Sequence, residues 1–265
     1  MKILLTGARG FVGARIADAM ETVPSPSLRS FGEDDVKRLV DSVEPDVIVH
    51  TAAISDIGAC AADPEGSYRA NVELPLWLVK RGVKCVLYST DQVYSGRGDE
   101  GPFSEDETEP ANLYAREKLE MEARSLERNP DTVLLRATWM YDMPRYGTPN
   151  RGNFLMNMLR ANGGEIALSS TEMRGITYVR EVAAHIEMAV SLPGGIYNYG
   201  SENDLSMAET GRLLAELAGL RIRITEAGPR RNLWMNTDKL KAAGIVFSST
   251  AEGLRQCCRD YGLGG

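Results

Sequence analysis

The fold is decided by 3-ILLTGARGFVGARIADAMET-22, in which an apolar run, a glycine-rich turn and an amphipathic stretch follow one another. The apolar run predicts a short buried strand, and the stretch after the turn predicts a helix. Gly7, Gly10 and Gly13 stand where a chain must turn tightly, approach a phosphate closely and pack a helix on a strand. Free N–H groups at the start of that helix suit a pyrophosphate, while an ordinary strand-turn-helix is the alternative interpretation.

Further along the chain, short apolar runs alternate with helical stretches. Continuous apolar runs are typical of strands buried on both faces, as in a parallel sheet covered by helices. The predicted strands are 47–49, 83–89 and 132–138, and the predicted helices are 33–44, 66–82 and one that begins near Tyr114. The pattern predicts an α/β fold with a Rossmann-like, doubly wound parallel sheet.

The second strand of this sheet is the weakest prediction. Only 23-VPSPSLRSF-31 lies between the first helix and the second, and it has two prolines and few residues that favour strands. We therefore expect a second strand that is short or lies at an edge.

The pattern of strands and helices loosens beyond Tyr141. A Pro/Gly-rich loop over 142–153 is followed by shorter elements, which predict a small second lobe. We predict an NAD(P)-binding domain over 1–141, and a discontinuous substrate lobe made mainly of 142–177 and 192–265. The predicted helix 178–191 should pack back on the first domain.

Composition limits the kind of partner. The chain has 265 residues, of which 43% are hydrophobic and 25% charged, enough for one globular domain with a smaller lobe. A net charge of -7 without a basic cluster argues against a nucleic-acid or membrane surface and favours a small molecule. The four cysteines show no zinc spacing or disulfide framework, and no leader is recognisable, so a cytoplasmic protein is expected. A homodimer is compatible with the sequence.

The region of the second strand bears on the choice of cofactor. No acidic residue stands clearly where a carboxylate would hold the ribose 2′-hydroxyl of NAD. Arg9 and Arg29, with Ser30 beside it, occupy the neighbourhood instead, and a guanidinium suits a 2′-phosphate. NADP(H) is therefore favoured and NAD(H) remains an alternative, as does the interpretation of both arginines as solvated surface residues.

Three residues predict carbonyl chemistry. Thr90 directly follows the predicted strand 83–89, at the sheet edge where ligands gather. Ordinary turn formation could also explain a Ser-Thr-Asp sequence at this position. Tyr114 and Lys118 stand four apart on one helix face, where an ammonium would lower the pKa of the phenol. Tyr114 could then donate a proton to a carbonyl oxygen while a hydride reaches the carbon. His50 and His185 form no metal-binding pattern, so no metal is expected.

These residues resemble the extended short-chain dehydrogenase/reductases, and within them the dTDP-4-dehydrorhamnose reductases. The likeness rests on TGxxGxxG at the amino terminus, Ser-Thr-Asp at 89–91, and Tyr-x-x-x-Lys. Further matching stretches are 45-PDVIVHTAA-53, 69-RANVELP-75, 135-LRATWMY-141, 152-GNF-154, 177-TYVREVA-183 and 231-RNLWMNTDKLKAAGI-245. The resemblance implies reduction of a nucleotide-activated 4-keto-6-deoxysugar by NAD(P)H.

The resemblance also implies roles for individual residues. Thr90, Tyr114 and Lys118 match the catalytic residues, with Lys118 also holding the nicotinamide ribose. The residues predicted to bind the cofactor are Gly7, Arg9, Gly10, Phe11, Val12, Gly13, Arg29, Ser30, Ala52, Ala53, Tyr114, Lys118 and Arg136. Those predicted to contact the sugar are Thr90, Gln92, Trp139 and Asn153, with a place in the core as the alternative for Trp139.

Several positions depart from the family pattern. Gln92 stands where the family often has Tyr, Ile176 where it has Pro, and His50-Thr51 before the Ala pair where it has Asn. These changes leave the identity of the sugar open. Two other functions remain alternatives: an NAD-dependent sugar-nucleotide epimerase or dehydratase, and a non-catalytic NADP-binding regulatory protein like the subunit of methionine adenosyltransferase that resembles these reductases.

Overall fold

A parallel sheet forms the centre of the protein. The computed structural model describes residues 1–98, 100–147 and 152–264. The strands of the sheet are β1 (Ile3–Thr6), β2 (Val23–Pro24), β3 (Val47–His50), β4 (Lys84–Thr90), β5 (Val133–Ala137) and β10 (Gly195–Tyr199). They lie in the order β2-β1-β3-β4-β5-β10. The chain order reverses between β1 and β3, and open α/β sheets bind ligands at such a switch point.

Helices cover both faces of this sheet. In chain order they are α1 (Phe11–Ala19), α2 (Glu33–Val43), α3 (Ile57–Ala62), α4 (Pro64–Tyr68), α5 (Leu74–Val79), α6 (Leu113–Arg128), α8 (Val179–Ala184) and α9 (Ile186–Ser191). Strand side chains alternate between two cores, so Ile3 and Leu5 pack with α1 and α8 while Leu4 packs with α2 and α5. The predicted Rossmann-like, doubly wound α/β class is confirmed.

The second strand is reduced to two residues. Val23 and Pro24 pair with Leu4 and Leu5, and β2 lies at the edge of the sheet. An edge tolerates proline, because the missing N–H would have faced solvent. The prediction of a short or edge strand is confirmed.

The remaining elements form small units outside the sheet. Three of these units are two-stranded sheets. They pair β6 (Trp139–Tyr141) with β9 (Ile176–Tyr178), β7 (Glu165–Leu168) with β11 (Arg223–Glu226), and β8 (Glu172–Met173) with β12 (Arg231–Asn232). The other helices are α7 (Phe154–Arg160), α10 (Met207–Leu217), α11 (Asp238–Ala242) and α12 (Thr250–Tyr261). A separate core containing Phe154, Leu214 and Leu254 holds several of these elements together.

Some elements differ in detail from the prediction. The predicted helix 178–191 is divided at His185 into α8 and α9, and both pack on the sheet. The predicted helix 66–82 is interrupted by a π-helical turn at Arg69–Glu73. Strand β10 falls in the range 192–265 that was predicted for the lobe, but it is the sixth strand of the main sheet. The other boundaries of the lobe stay a prediction. Part of the predicted loop 142–153 lies outside the described residues.

Over the described ranges, no helix is both long enough and apolar enough to span a lipid bilayer.

The glycine turn depends on one close approach. A Cβ added to Gly13 would lie 2.2 Å from the carbonyl oxygen of Gly7. Because that atom belongs to the backbone, we expect Gly13→Ala to lower the free energy of unfolding by about 1–3 kcal/mol, as overpacking does. Urea denaturation measures this loss. Gly98→Ala is the matched control, since a Cβ there meets nothing within 4 Å. A Gly13→Ala protein within about 0.5 kcal/mol of wild type would contradict the prediction.

Candidate active site

The glycine turn joins β1 to α1 at the switch point. Gly7 has φ +78°, in the left-handed region that favours glycine, and its carbonyl accepts a hydrogen bond of 2.8 Å from the Gly10 N–H. Gly10 caps α1 without a side chain, and the first turn of α1 contains no acidic residue. The free N–H groups of this helix end are therefore not neutralised by a neighbouring carboxylate, and they suit a pyrophosphate.

The segment after β3 forms the facing wall. The Thr51 hydroxyl donates to the carbonyl oxygen of Thr6 at 2.8 Å, which holds the ends of β1 and β3 together. A Cβ added to Gly7 would lie 2.8 Å from the backbone nitrogen of Ala52, so turn and wall are in close contact. Ala52 is half-buried and Ala53 exposed, as a cofactor wall requires.

The other residues predicted to bind the cofactor phosphates lie near this turn or beyond β2. Phe11 and Val12 are half-buried at the start of α1, whereas Arg9 is exposed. Arg29 and Ser30 are also exposed, in a turn that follows the buried Leu28 beyond β2. The residues present fit a dinucleotide, because an open glycine turn and exposed guanidinium groups meet its negative charges.

The proposed catalytic residues come from two neighbouring elements. Thr90 is the last residue of β4, while Tyr114 and Lys118 lie in the first two turns of α6. The Asn112 side chain caps α6 by accepting a hydrogen bond of 2.9 Å from the Ala115 N–H. All three residues are buried, and the hydroxyls of Thr90 and Tyr114 interact. The fold therefore brings together the three side chains that the sequence predicted.

Burial dominates the protonation of Tyr114. It raises the pKa of the phenol well above its ordinary value, whereas the hydrogen bond with Thr90 lowers that pKa. Negative charge on Asp91 and Glu117 raises it further. Burial, rather than the predicted effect of the Lys118 ammonium, therefore controls the pKa of Tyr114. Tyr114 remains a phenol at neutral pH, which suits a proton donor rather than a base.

Lys118 lies deep behind the tyrosine. Its Nζ is 5.9 Å from the centre of the Tyr114 ring and donates a hydrogen bond of 2.8 Å to the carbonyl oxygen of Tyr88. Burial lowers the pKa of Lys118 to about 8. His50 stays neutral nearby, because burial and then the charge of Lys118 lower its pKa to about 3. Lys118 is thus mainly an ammonium at neutral pH.

Arg136 takes a role that differs from the prediction. Its guanidinium donates to both carboxylate oxygens of Glu122, at 3.0 and 2.7 Å, and to the Tyr94 hydroxyl at 2.8 Å. A fourth hydrogen bond of 2.6 Å goes to the carbonyl oxygen of Glu105. The side chain is thus committed to a buried ion pair rather than to a ligand.

Asn153 also has a structural role. Its carbonyl oxygen caps α7 by accepting a hydrogen bond from the Met156 N–H at 3.1 Å, and its amide donates to the Asp142 carbonyl oxygen at 2.8 Å. Both ends of the side chain are therefore used within the protein. Asn153 is also 4% exposed, so the sugar contact predicted for it stays a prediction.

Trp139 and Gln92 are the other two residues predicted to contact the sugar. Trp139 is half-buried and packs edge-on against Phe154, with ring centres 6.0 Å apart. The Arg174 guanidinium lies 5.4 Å from the centre of the Trp139 ring. Gln92 is buried and follows Thr90 in a short 3₁₀ turn. The Trp139 side chain therefore packs against Phe154 of the core, while part of it remains accessible to solvent.

The sequence missed a buried ion pair beside this site. Arg174 donates to Asp91 at 2.5 Å, and Glu172 lies 3.6 Å from the same guanidinium. Arg231 pairs with Glu172 at 2.7 Å. Asp91 was visible only as part of a turn motif, and no local pattern links it to Arg174, which lies far away in the sequence.

Comparisons with known proteins agree with this geometry. A family model described as RmlD substrate binding domain matches residues 1–233. A dTDP-4-dehydrorhamnose reductase of Mycolicibacterium smegmatis is 28% identical over 238 residues, covering 85% of this chain and 67% of the relative. Methionine adenosyltransferase 2 subunit beta of Danio rerio is 25% identical over 282 residues, covering 94% and 87%.

A solved structure shares the fold. The crystal structure of dTDP-4-dehydrorhamnose reductase from Bacillus anthracis in complex with NADP superposes with a TM-score of 0.86 at 20% identity, covering 98% of this chain and 99% of that one. The resemblance seen in the sequence is confirmed by the family match, which spans most of the chain. This protein therefore belongs to the RmlD substrate binding domain family.

Proposed function

We propose that this protein is an NADPH-preferring reductase that acts on a nucleotide-activated 4-keto-6-deoxysugar, as the name of its mycobacterial relative suggests. The observation that carries the proposal is the convergence of Thr90, Tyr114 and Lys118 at the carboxyl end of β4, on the same edge of the parallel sheet as the glycine turn after β1. When bound, NADPH supplies the hydride that reduces the carbonyl carbon.

The side chains around the carbonyl divide the remaining work. Tyr114, held as a phenol by burial, donates its proton to the carbonyl oxygen as negative charge develops there. Thr90 hydrogen-bonds to the same oxygen and orients it. Lys118 binds the ribose beside the nicotinamide, and its positive charge stabilises the phenolate that Tyr114 becomes. Burial of all three excludes water, which strengthens these interactions.

Other residues hold the two ligands. The N–H groups at the start of α1 bind the pyrophosphate, and Arg9 and Arg29 bind the 2′-phosphate. We propose that the exposed part of Trp139 is a platform for the sugar, with Gln92 at its side. The four cysteines are free thiols, which supports a reducing compartment and hence a cytoplasmic location.

Two rival functions predict different chemistry. An epimerase or dehydratase returns the hydride to its substrate, so it would not consume NADPH. A non-catalytic regulatory subunit would bind the cofactor without turnover, and the Danio rerio relative is named as a beta subunit of methionine adenosyltransferase 2. The presence of Thr90, Tyr114 and Lys118 in one buried site favours an enzyme over a regulatory subunit, and net NADPH consumption separates a reductase from an epimerase or dehydratase.

The decisive experiment measures NADPH oxidation with a panel of nucleotide-linked 4-keto-6-deoxysugars. We expect net NADPH consumption with at least one sugar, and a loss of about 10²- to 10⁴-fold in kcat for Tyr114→Phe, because the proton donor is removed. NADPH affinity should change little. Tyr68→Phe is the matched control, since its hydroxyl pairs with Glu120 on the surface of α6. Unchanged turnover in Tyr114→Phe would exclude the proposed proton donor.

The pKa of Lys118 predicts that NADPH binding and activity are lost at alkaline pH. The ammonium predominates below a pKa of about 8 and is lost as the pH rises through it. NADPH binding and kcat/KM should therefore both fall between about pH 7 and about pH 10, because the neutral amine holds the ribose less well. Fluorescence titration of NADPH at several pH values measures the first quantity. A flat profile over this range would show that Lys118 does not carry the charge.

Cofactor preference can be tested at the exposed arginine beyond β2. Arg29→Ala should weaken NADPH binding roughly 10-fold, because one charged hydrogen bond to the 2′-phosphate is lost, and should leave NADH binding unchanged. Calorimetric titration with each cofactor measures both constants. Arg38→Ala, which removes an exposed arginine of α2 that pairs with Asp35, is the control. Equal weakening for both cofactors would contradict a 2′-phosphate contact.

A further inference from the structure

Lys118 has no close counter-charge. In the described part of the chain, no carboxylate oxygen lies within 4.0 Å of its Nζ, and its hydrogen bond of 2.8 Å goes to the neutral carbonyl group of Tyr88. The residue is 2% exposed. A buried ammonium in such surroundings loses its hydration and gains no ion pair in return. Its pKa is therefore lowered, and it tends to release its proton. Some other group must therefore favour the charged form.

Glu122 is nearby but already forms an ion pair with Arg136. Arg136 holds both of its carboxylate oxygens, and the Ser89 hydroxyl donates to one of them at 2.5 Å. The Glu122–Arg136 pair is buried at 2% exposure on both sides. Glu122 is the strongest negative charge acting on Lys118, followed by Glu117. The guanidinium of Arg136 opposes the effect of Glu122, because the net charge of the pair is zero.

Glu117 is in the opposite situation. Its Oε2 accepts hydrogen bonds from the Ser67 hydroxyl at 2.6 Å and from the Asn71 amide at 2.9 Å, and both donors are neutral. Its Oε1 is buried without a hydrogen-bond partner. Among residues 1–98, 100–147 and 152–264, no cationic nitrogen lies within 4.0 Å of this carboxylate. Glu117 and Lys118 are thus adjacent buried residues of opposite charge, each without a close ionic partner.

The hydrogen bonds of Glu117 also reach the cofactor wall. Asn71 lies in the π-helical turn, and it exchanges two hydrogen bonds with the backbone of Ile54, at 3.0 and 2.9 Å. Ile54 directly follows Ala52 and Ala53. One carboxylate therefore connects the helix that carries Lys118 to the segment that faces the glycine turn.

We propose that Glu117 is a positioning residue, which supplies the counter-charge that keeps Lys118 an ammonium and holds the 52–54 segment against α6. The proposal rests on the proposed function in one respect, since it explains how Lys118 stays charged for its role there. Glu117 itself need not touch substrate or cofactor.

Other groups also face Lys118 and set the background. They are Glu122 and Tyr114 on α6, Cys60 on α3, His50 on β3 and the carbonyl group of Tyr88 on β4. His50 is neutral at neutral pH, and the pKa of the Cys60 thiol is raised by burial. Glu117 is therefore the unmatched negative charge among them.

The test titrates Lys118 directly. Lysine side chains labelled with nitrogen-15 are followed by NMR against pH, and Lys118→Met identifies the signal. Glu117→Gln should lower the titration midpoint of Lys118 by about one pH unit, because a nearby opposite charge is removed while the acceptor oxygen is kept. Glu120→Gln, on the exposed face of α6, should leave it unchanged. An unshifted midpoint in Glu117→Gln would overturn the proposal.

This readout does not depend on turnover. Failure to reduce any keto-sugar would overturn the proposed function while leaving the Lys118 midpoint interpretable. If Glu117→Gln folds poorly, the double variant Glu117→Gln/Lys118→Met provides a second test by thermal melting. Removal of both charges should raise the melting temperature above that of Glu117→Gln, because the uncompensated ammonium is gone. A double variant that melts at or below Glu117→Gln would also overturn the proposal.

Discussion

The buried ion pair between Glu122 and Arg136 is the constraint on which the active site depends. It joins α6 to β5, and Ser89 on β4 adds a third connection to the same carboxylate. Tyr114, Lys118 and Glu122 stand four residues apart on α6, so they lie on one face of the helix. Anchoring Glu122 to the sheet therefore also sets the rotation and depth of Tyr114 and Lys118.

The same ion pair extends to the segments that enclose the substrate side. Arg136 also holds Tyr94 and the carbonyl group of Glu105, and Tyr94 donates to Asn198 on β10 at 2.7 Å. The loop that follows Thr90 is thereby fixed to the far edge of the sheet. A buried network of this kind is worth little net stability compared with an apolar core, but it specifies one arrangement of charged groups. Here that arrangement is the one that places Thr90 beside Tyr114.

Local patterns were sufficient for the parts of the structure that depend on local sequence. The glycine turn, the buried strands and the spacing of Tyr114 and Lys118 are properties of short segments, and the structure brings them together as predicted. Arg136 and Asn153 could not be assigned in this way, because Glu122 and Asp142 become their partners only after folding. The pKa of Tyr114 was misjudged for a related reason: spacing reveals the ammonium nearby, whereas burial depends on the whole tertiary structure.

The chemistry of the site and its choice of sugar depend on different parts of the chain. Proton donation requires only groups on β4 and α6, which the central sheet holds rigidly. The surface around Trp139 is built from distant segments, since Asp91 on one side meets Arg174 and then Glu172 and Arg231 on the other. Two guanidinium groups and two carboxylates cancel in charge, so this wall offers directed hydrogen bonds rather than a general attraction for anions. In the proposed function, changes in these segments can therefore alter which sugar fits while the proton donor stays in place.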